Sequence, residues 1–230
     1  MSSKDKYMRL PYLVVVGSHT DVGKSAVSAA LCYGLGLVYH KIVQAGTPTD
    51  SDVIATLTPD THIIPSAITL QTPTSPHRAK KLESLHYDAL ELPLPTYTTP
   101  ETTILIETAG GLYTPIDSTH CVLDWVAYHH LPVVLVGRHY LGAINHILLS
   151  IEALKTRNID ILGLIISGAR DSEAYDSEEF ITQYSQMPIA HLREFDKNTL
   201  HIREDFARAA RELVGELNTL CHIQELLYTH

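Results

Sequence analysis

Short runs of aliphatic and β-branched residues alternate along this chain with longer stretches whose apolar positions recur every three or four residues. Continuous apolar runs at residues 12–16, 38–44, 103–107, 132–136 and 161–166 predict strands buried on both faces. Helical spacing predicts helices over 24–35, 121–130 and 142–157, and a terminal amphipathic helix from Thr199 onward. Strand, helix, strand in repetition predicts an α/β fold: a doubly wound, mostly parallel sheet with helices on both faces. Residues 58–100 break the rhythm with scattered Thr, Pro and Ser, and carry one short basic helix candidate at 77–85. They read as an excursion over the sheet edge that carries part of a site.

Composition narrows the class. A chain of 230 residues with 45% apolar and 19% charged residues can bury one core, so 1–230 reads as a single domain. Residues 1–11 read as an N-terminal tail, too short in its apolar part for a secretory signal. No apolar run approaches the roughly 18 residues of a spanning helix, so no membrane partner is expected. Seventeen basic against 26 acidic residues give a net charge of −9, which argues against nucleic acid as a partner. Cys32, Cys121 and Cys221 are widely spaced and odd in number, as in a reducing, cytoplasmic setting. Fourteen histidines invite a metal reading, but His129 and His130 are adjacent and no ligand spacing of a metal centre occurs.

Chemistry concentrates after the first strand, in Gly17-Ser18-His19-Thr20-Asp21-Val22-Gly23-Lys24-Ser25. A glycine-rich loop between a buried strand and a helix aims backbone N–H groups at an anion, and the helix N-terminus adds positive potential. Lys24 reaches terminal phosphates, and the Ser25 hydroxyl is a Mg²⁺ ligand. The spacing, G-x5-G-K-S, is one residue longer than the usual phosphate loop. Hard oxygen ligands to complement Ser25 are offered by Glu107, which ends a strand, and Asp52, just after another. Either acid alone also suits solvation or a helix N-cap. Asp50 is the N-cap candidate, which leaves Asp52 in the first helical turn. Lys41 falls inside a strand, where a lysine either snorkels from an edge or meets an anion.

The order of these residues, with Pro73-Thr74-Ser75-Pro76-His77, Glu107-Thr108-Ala109-Gly110-Gly111 and Leu141-Gly142-Ala143-Ile144-Asn145-His146, resembles the dethiobiotin synthetase family. The resemblance runs from Val14 to Gly168. It implies a cyclo-ligase that forms dethiobiotin from 7,8-diaminopelargonate, CO2 and a nucleoside triphosphate. The route runs through a carbamate and a carbamic-phosphoric anhydride. It implies Lys24 on the γ-phosphate, Lys41 on the carbamate and the transferring phosphoryl group, and Thr20 at the reacting centre. Asp21, Val22 and Gly23 would cradle phosphate, and Ser25, Asp52 and Glu107 would hold Mg²⁺. It also implies a homodimer with a shared active site, in which Leu141, Gly142 and Asn145 grip the substrate carboxylate.

Three positions and one segment depart from the family pattern. Ala45 replaces a serine or threonine on the substrate side, and Ile42 replaces a proline. Ser167 stands where an asparagine reads adenine, and 192–195 lacks the family's Ile-Pro. A serine lacks the paired donor and acceptor of an amide, so adenine preference is expected to weaken in favour of GTP or another triphosphate. The other classes weighed are a non-catalytic regulatory nucleotide-binding module and a partition-type ATPase. Lys41 has no use in the former, and the latter usually wants a second lysine where Ser18 stands.

Overall fold

A computed structural model describes residues 10–97, 102–196 and 200–228. The first half runs β1 (Tyr12–Gly17), α1 (Lys24–Leu35), β2 (Val38–Lys41), β3 (Val43–Ala45), α2 (Asp50–Leu57), β4 (Ile63–Ile64), β5 (Ile68–Leu70) and α3 (Pro76–Leu82). The second runs β6 (Ile104–Glu107), α4 (Val122–Tyr128), β7 (Val133–Gly137), α5 (Ala143–Thr156), β8 (Ile161–Ser167), α6 (Ser172–Ser185), β9 (Ile189–Leu192), α7 (Ile202–Cys221) and α8 (Ile223–Tyr228). Seven strands form one sheet in the order β4-β2-β6-β1-β7-β8-β9, and every described pairing in it is parallel.

The alternation within β1 divides the core. Leu13 and Val15 face a layer built with α1, α2 and α7, where Leu31, Ile54, Phe206 and Leu213 are buried. Val14 and Val16 face the opposite layer, with Leu123 and Trp125 of α4 and Ile147 and Ile151 of α5. Successive side chains of a strand point to opposite faces, so one continuous apolar run serves two layers. The fold is the doubly wound α/β sheet expected from the sequence.

Several boundaries differ from expectation. The run at 38–44 is not one strand. After Ile42 the chain leaves the main sheet, and β3 pairs with β5 in a separate two-stranded sheet. Neither α6 nor β9 is visible in the hydrophobic pattern, because the buried stripe of α6 includes Glu178 and Ser185 beside Ala174 and Ile181. The proposed tail at 1–11 lies outside the described residues except for Leu10 and Pro11. Their carbonyls accept hydrogen bonds from Thr103 Oγ1 (2.8 Å) and Ile104 N (2.9 Å). Thr199, the expected start of the last helix, also lies outside them.

Candidate active site

The carboxyl ends of β1, β2 and β6 open into a cleft of about 1390 Å³, where ligands of doubly wound sheets bind. Its floor is the loop between β1 and α1. Gly23, the residue before α1, has φ 90° and ψ 22°, a left-handed conformation that favours glycine, and no side chain caps the helix. The first amides of α1 are thus left for a ligand. Gly17 is as constrained, since a Cβ there would stand 2.8 Å from the His19 carbonyl oxygen. Ser18, Thr20, Asp21, Gly23, Lys24 and Ser25 line the cleft, whereas Val22 is buried in the core beneath.

Lys41 and Glu107 meet through strand register. They are partners across the parallel β2–β6 pair, and Lys41 Nζ lies 2.9 Å from Glu107 Oε1. The same ammonium reaches Asp50 Oδ2 at 2.7 Å and donates to the Thr108 carbonyl at 3.1 Å. Two residues back on the same face, the Tyr39 hydroxyl donates to Glu107 Oε2 at 3.1 Å. Burial works to lower the Lys41 pKa, but Glu107 and Asp50 outweigh it and hold the ammonium above its ordinary value. Burial likewise opposes ionisation of Asp50, and Lys41 and Ser25 nevertheless keep its carboxyl below the usual range. Lys24 lacks so close a counter-charge. Burial, with the Lys41 charge, brings it down to about 8, and a bound polyphosphate would reverse that.

The Ser25 hydroxyl sits 2.5 Å from Asp50 Oδ1 and 2.9 Å from Glu107 Oε1. One hydroxyl and two carboxylates therefore converge, a hard-oxygen set suited to Mg²⁺. The second acid of this set is Asp50, where the sequence pointed to Asp52. Thr49, rather than Asp50, caps α2. Thr49 N donates to Asp52 Oδ2 at 2.8 Å, and Asp52 N donates to Thr49 Oγ1 at 3.1 Å. Asp52 is the exposed partner in this reciprocal cap, and Asp50, not Asp52, lines the cleft. Thr-x-x-Asp is itself a capping pattern, so the spacing contained the signal. Gln44 adds a support that sequence reading missed, accepting from Asp50 N at 3.0 Å through Oε1.

The remaining motifs border the same cleft. Ala45 lines it, as do Pro73 to Pro76 and Ala109 to Pro115. Leu141, Gly142 and Asn145 form the exposed entry to α5, with Gly142 at φ 96°. They stand beside the cleft, and His146 lines it. Ser167 ends β8 with its side chain turned to the phosphate loop, where a Cβ on Gly23 would lie 2.5 Å from Ser167 Oγ.

The sequence matches the family model described as an AAA domain over residues 12–194. It is 45% identical over 202 residues to the ATP-dependent dethiobiotin synthetase BioD of Campylobacter jejuni subsp. jejuni serotype O:23/36 (strain 81-176), covering 88% of this chain and 96% of that one. Identity to the namesake from Rhodopseudomonas palustris (strain BisA53) is 41% over 181 residues, covering 77% and 82% of the two chains. Among solved structures, the signal recognition particle receptor FtsY of Elizabethkingia anophelis in complex with GDP superposes with a TM-score of 0.50 at 12% identity. That match covers 92% of this chain and 66% of that one, and is a likeness of fold alone. With a phosphate loop, a buried lysine between two carboxylates and close relatives matched along most of their length, the chain belongs to the ATP-dependent dethiobiotin synthetase family.

Proposed function

We propose that this protein closes the ureido ring of dethiobiotin from 7,8-diaminopelargonate, CO2 and ATP. The observation that carries the reading is the buried Lys41 ammonium, held between Glu107 and Asp50 on the wall of a phosphate-loop cleft. A nucleotide-binding module needs the loop but has no use for this second cation. A ligase that brings a carbamate up to a triphosphate does, because negative charge approaches negative charge.

In the first step an amine of the substrate adds to CO2 and loses a proton, giving a carbamate. A carbamate oxygen then attacks the γ-phosphorus, and ADP leaves. The second amine attacks the carbamoyl carbon of the mixed anhydride, and phosphate departs as the ring closes. Lys24 takes the γ-phosphate, while the amides from Asp21 to Gly23 cradle the phosphate chain. Lys41 offers its ammonium to the carbamate and to the transferring phosphoryl group, and its raised pKa keeps that charge at neutral pH. Thr20, at the cleft surface, hydrogen-bonds the reacting centre. Ser25, Asp50 and Glu107 would hold Mg²⁺. That ion would neutralise charge on the β- and γ-phosphates.

The protein acts as a homodimer in this reading, with Leu141, Gly142 and Asn145 of one subunit gripping the substrate carboxylate in the other's cleft. Support comes from the cleft rim, where Leu141 is fully exposed and Tyr113 and Leu149 are largely so. A cytoplasmic location fits three free cysteines. No helix among the described residues is long and apolar enough to cross a membrane.

The test is a mass-spectrometric assay for dethiobiotin with diaminopelargonate, bicarbonate, Mg²⁺ and ATP. Product that vanishes in Lys41→Ala is the expected result. Nucleotide binding without product from the wild-type protein would replace the ligase with a regulatory module.

A further inference from the structure

Lys41 and Glu107 lie on one flank of β1, on β2 and β6, whereas β7, β8 and β9 lie on the other. A nucleotide with its terminal phosphate toward Lys41 therefore lays its sugar and base over the carboxyl ends of β7 to β9. Most polar side chains at those ends are already paired. His139 Nε2 lies 2.8 Å from Glu178 Oε1, and Arg170 pairs with the same carboxylate. His191 bridges Glu178 and Glu216 at 3.2 and 3.0 Å. Arg193 donates to Asp205 and Glu212 at 2.8 Å each.

Arg138 is different. It is the first residue after β7, it is exposed, and it lines the nucleotide cleft. Among the described residues it has no hydrogen-bond or ion-pair partner. Its guanidinium lies against the backbone that ends β8, where a Cβ on Gly168 would stand 3.3 Å from Nε and 3.7 Å from Cζ. Gly168 has φ 112°, so that approach is kept open by a residue that has no Cβ. Ser167 does not compete for the base, because its hydroxyl is turned to Gly23.

We propose that Arg138 reads the base of the nucleotide and selects guanine over adenine. A guanidinium presents donors only, in a fixed fork. Guanine meets that fork with two acceptors, O6 and N7. Adenine presents N7 beside an amino group that itself donates, so one arm of the fork faces a donor. ATP remains a substrate, and GTP is the preferred one. This inference rests on the reading of the cleft as a nucleotide site of the ligase.

The experiment compares wild type, Arg138→Ala and Arg138→Lys with ATP, GTP and inosine triphosphate, which keeps O6 and N7 but lacks the 2-amino group. Dethiobiotin formation gives kcat and KM, and calorimetric titration of each nucleotide with Mg²⁺ runs in parallel. Wild type is expected to favour GTP and inosine triphosphate over ATP. In Arg138→Ala that ratio falls about tenfold, through KM rather than kcat, and Arg138→Lys keeps part of it. A wild-type preference for ATP overturns the proposal, as does an unchanged ratio in Arg138→Ala. An equal loss for all three nucleotides also overturns it, since that marks a phosphate contact. Absence of product with every nucleotide defeats the ligase reading alone, because the titrations still report the base ratio. Failure of all three nucleotides to bind overturns both.

Discussion

Lys41 and Glu107 face each other at one register position of the parallel β2–β6 pair, with Nζ 2.9 Å from Oε1 and both side chains buried. Because Asp50 also contacts the ammonium, the lysine belongs to a buried ion-pair cluster, and in the proposed mechanism it acts on the substrate as well. Lys41→Ala is expected to lower kcat/KM for dethiobiotin by about 10³-fold. It also leaves the Glu107 carboxylate buried without its cation, at a cost of about 3–5 kcal/mol. Urea unfolding beside the product assay separates the two effects. Unchanged stability with lost activity would mean that the pair is not a structural ion pair.

Asp50 meets Ser25 while Asp52, two residues on, closes the reciprocal cap with Thr49, and the proposed Mg²⁺ site assigns the ligand role to Asp50. Asp50→Asn is expected to raise the Mg²⁺ concentration for half-maximal activity by about 10–100-fold. Asp52→Ala should lower the melting temperature slightly through loss of the reciprocal cap and leave the Mg²⁺ dependence in place. A Mg²⁺ titration of both variants decides between them. The opposite pattern would return the ligand role to Asp52.

The contrast between these two acids explains what was legible in the sequence. β1, α1 and the loop between them could be read directly, because strand burial, glycine spacing and the Lys-Ser pair are all local signals. Lys41 and Glu107 were recognisable as unusual, but their pairing comes from strand register, which only the assembled sheet supplies. Sequence reads Asp50 as the cap because both acids sit in the first helical turn, and only the folded geometry shows Thr49 and Asp52 closing the cap while Asp50 reaches Ser25. The split of the 38–44 run had no local cue, since Ile42 and Val43 remain buried on either side of the change of sheet. Arg138 carried no motif. Its position depends on Gly168, 30 residues further on and one strand away.

Asp117 predicts a pH dependence of stability outside the cleft floor. Its buried carboxylate accepts from Ala89 N at 2.8 Å, Thr119 N at 2.8 Å and His120 N at 2.7 Å, pinning the 88–90 segment to the 117–120 turn. Burial opposes its ionisation, but these amides outweigh burial and depress its pKa well below the usual carboxylate range. A depressed folded-state pKa contributes stability that is fully present above the unfolded value of about 3.9 and lost as pH falls through the folded value. Asp117→Asn is therefore expected to cost about 2–3 kcal/mol at pH 7. The gap to wild type should narrow steadily below about pH 4. Denaturant unfolding at several pH values checks this, and a gap independent of pH would show that the charge is not the source.

Leu141 predicts how activity depends on assembly. Its side chain is fully exposed at the entry to α5, and Leu149, on the cleft side of the same helix, is 59% exposed. Leaving such residues in water forgoes up to about 1.5–3 kcal/mol for each leucine that a partner surface would cover. A charge on each face of a two-fold interface is repeated by symmetry, so a single substitution acts twice. Leu141→Asp is accordingly expected to shift sedimentation from dimer to monomer at micromolar concentration and to raise KM for diaminopelargonate, with the melting temperature of the monomer retained. ATP titration should be affected far less, because the phosphate loop belongs to a single chain. A variant that stays dimeric with normal KM would remove Leu141 from the interface. Wild-type protein that sediments as an active monomer would remove the shared site altogether.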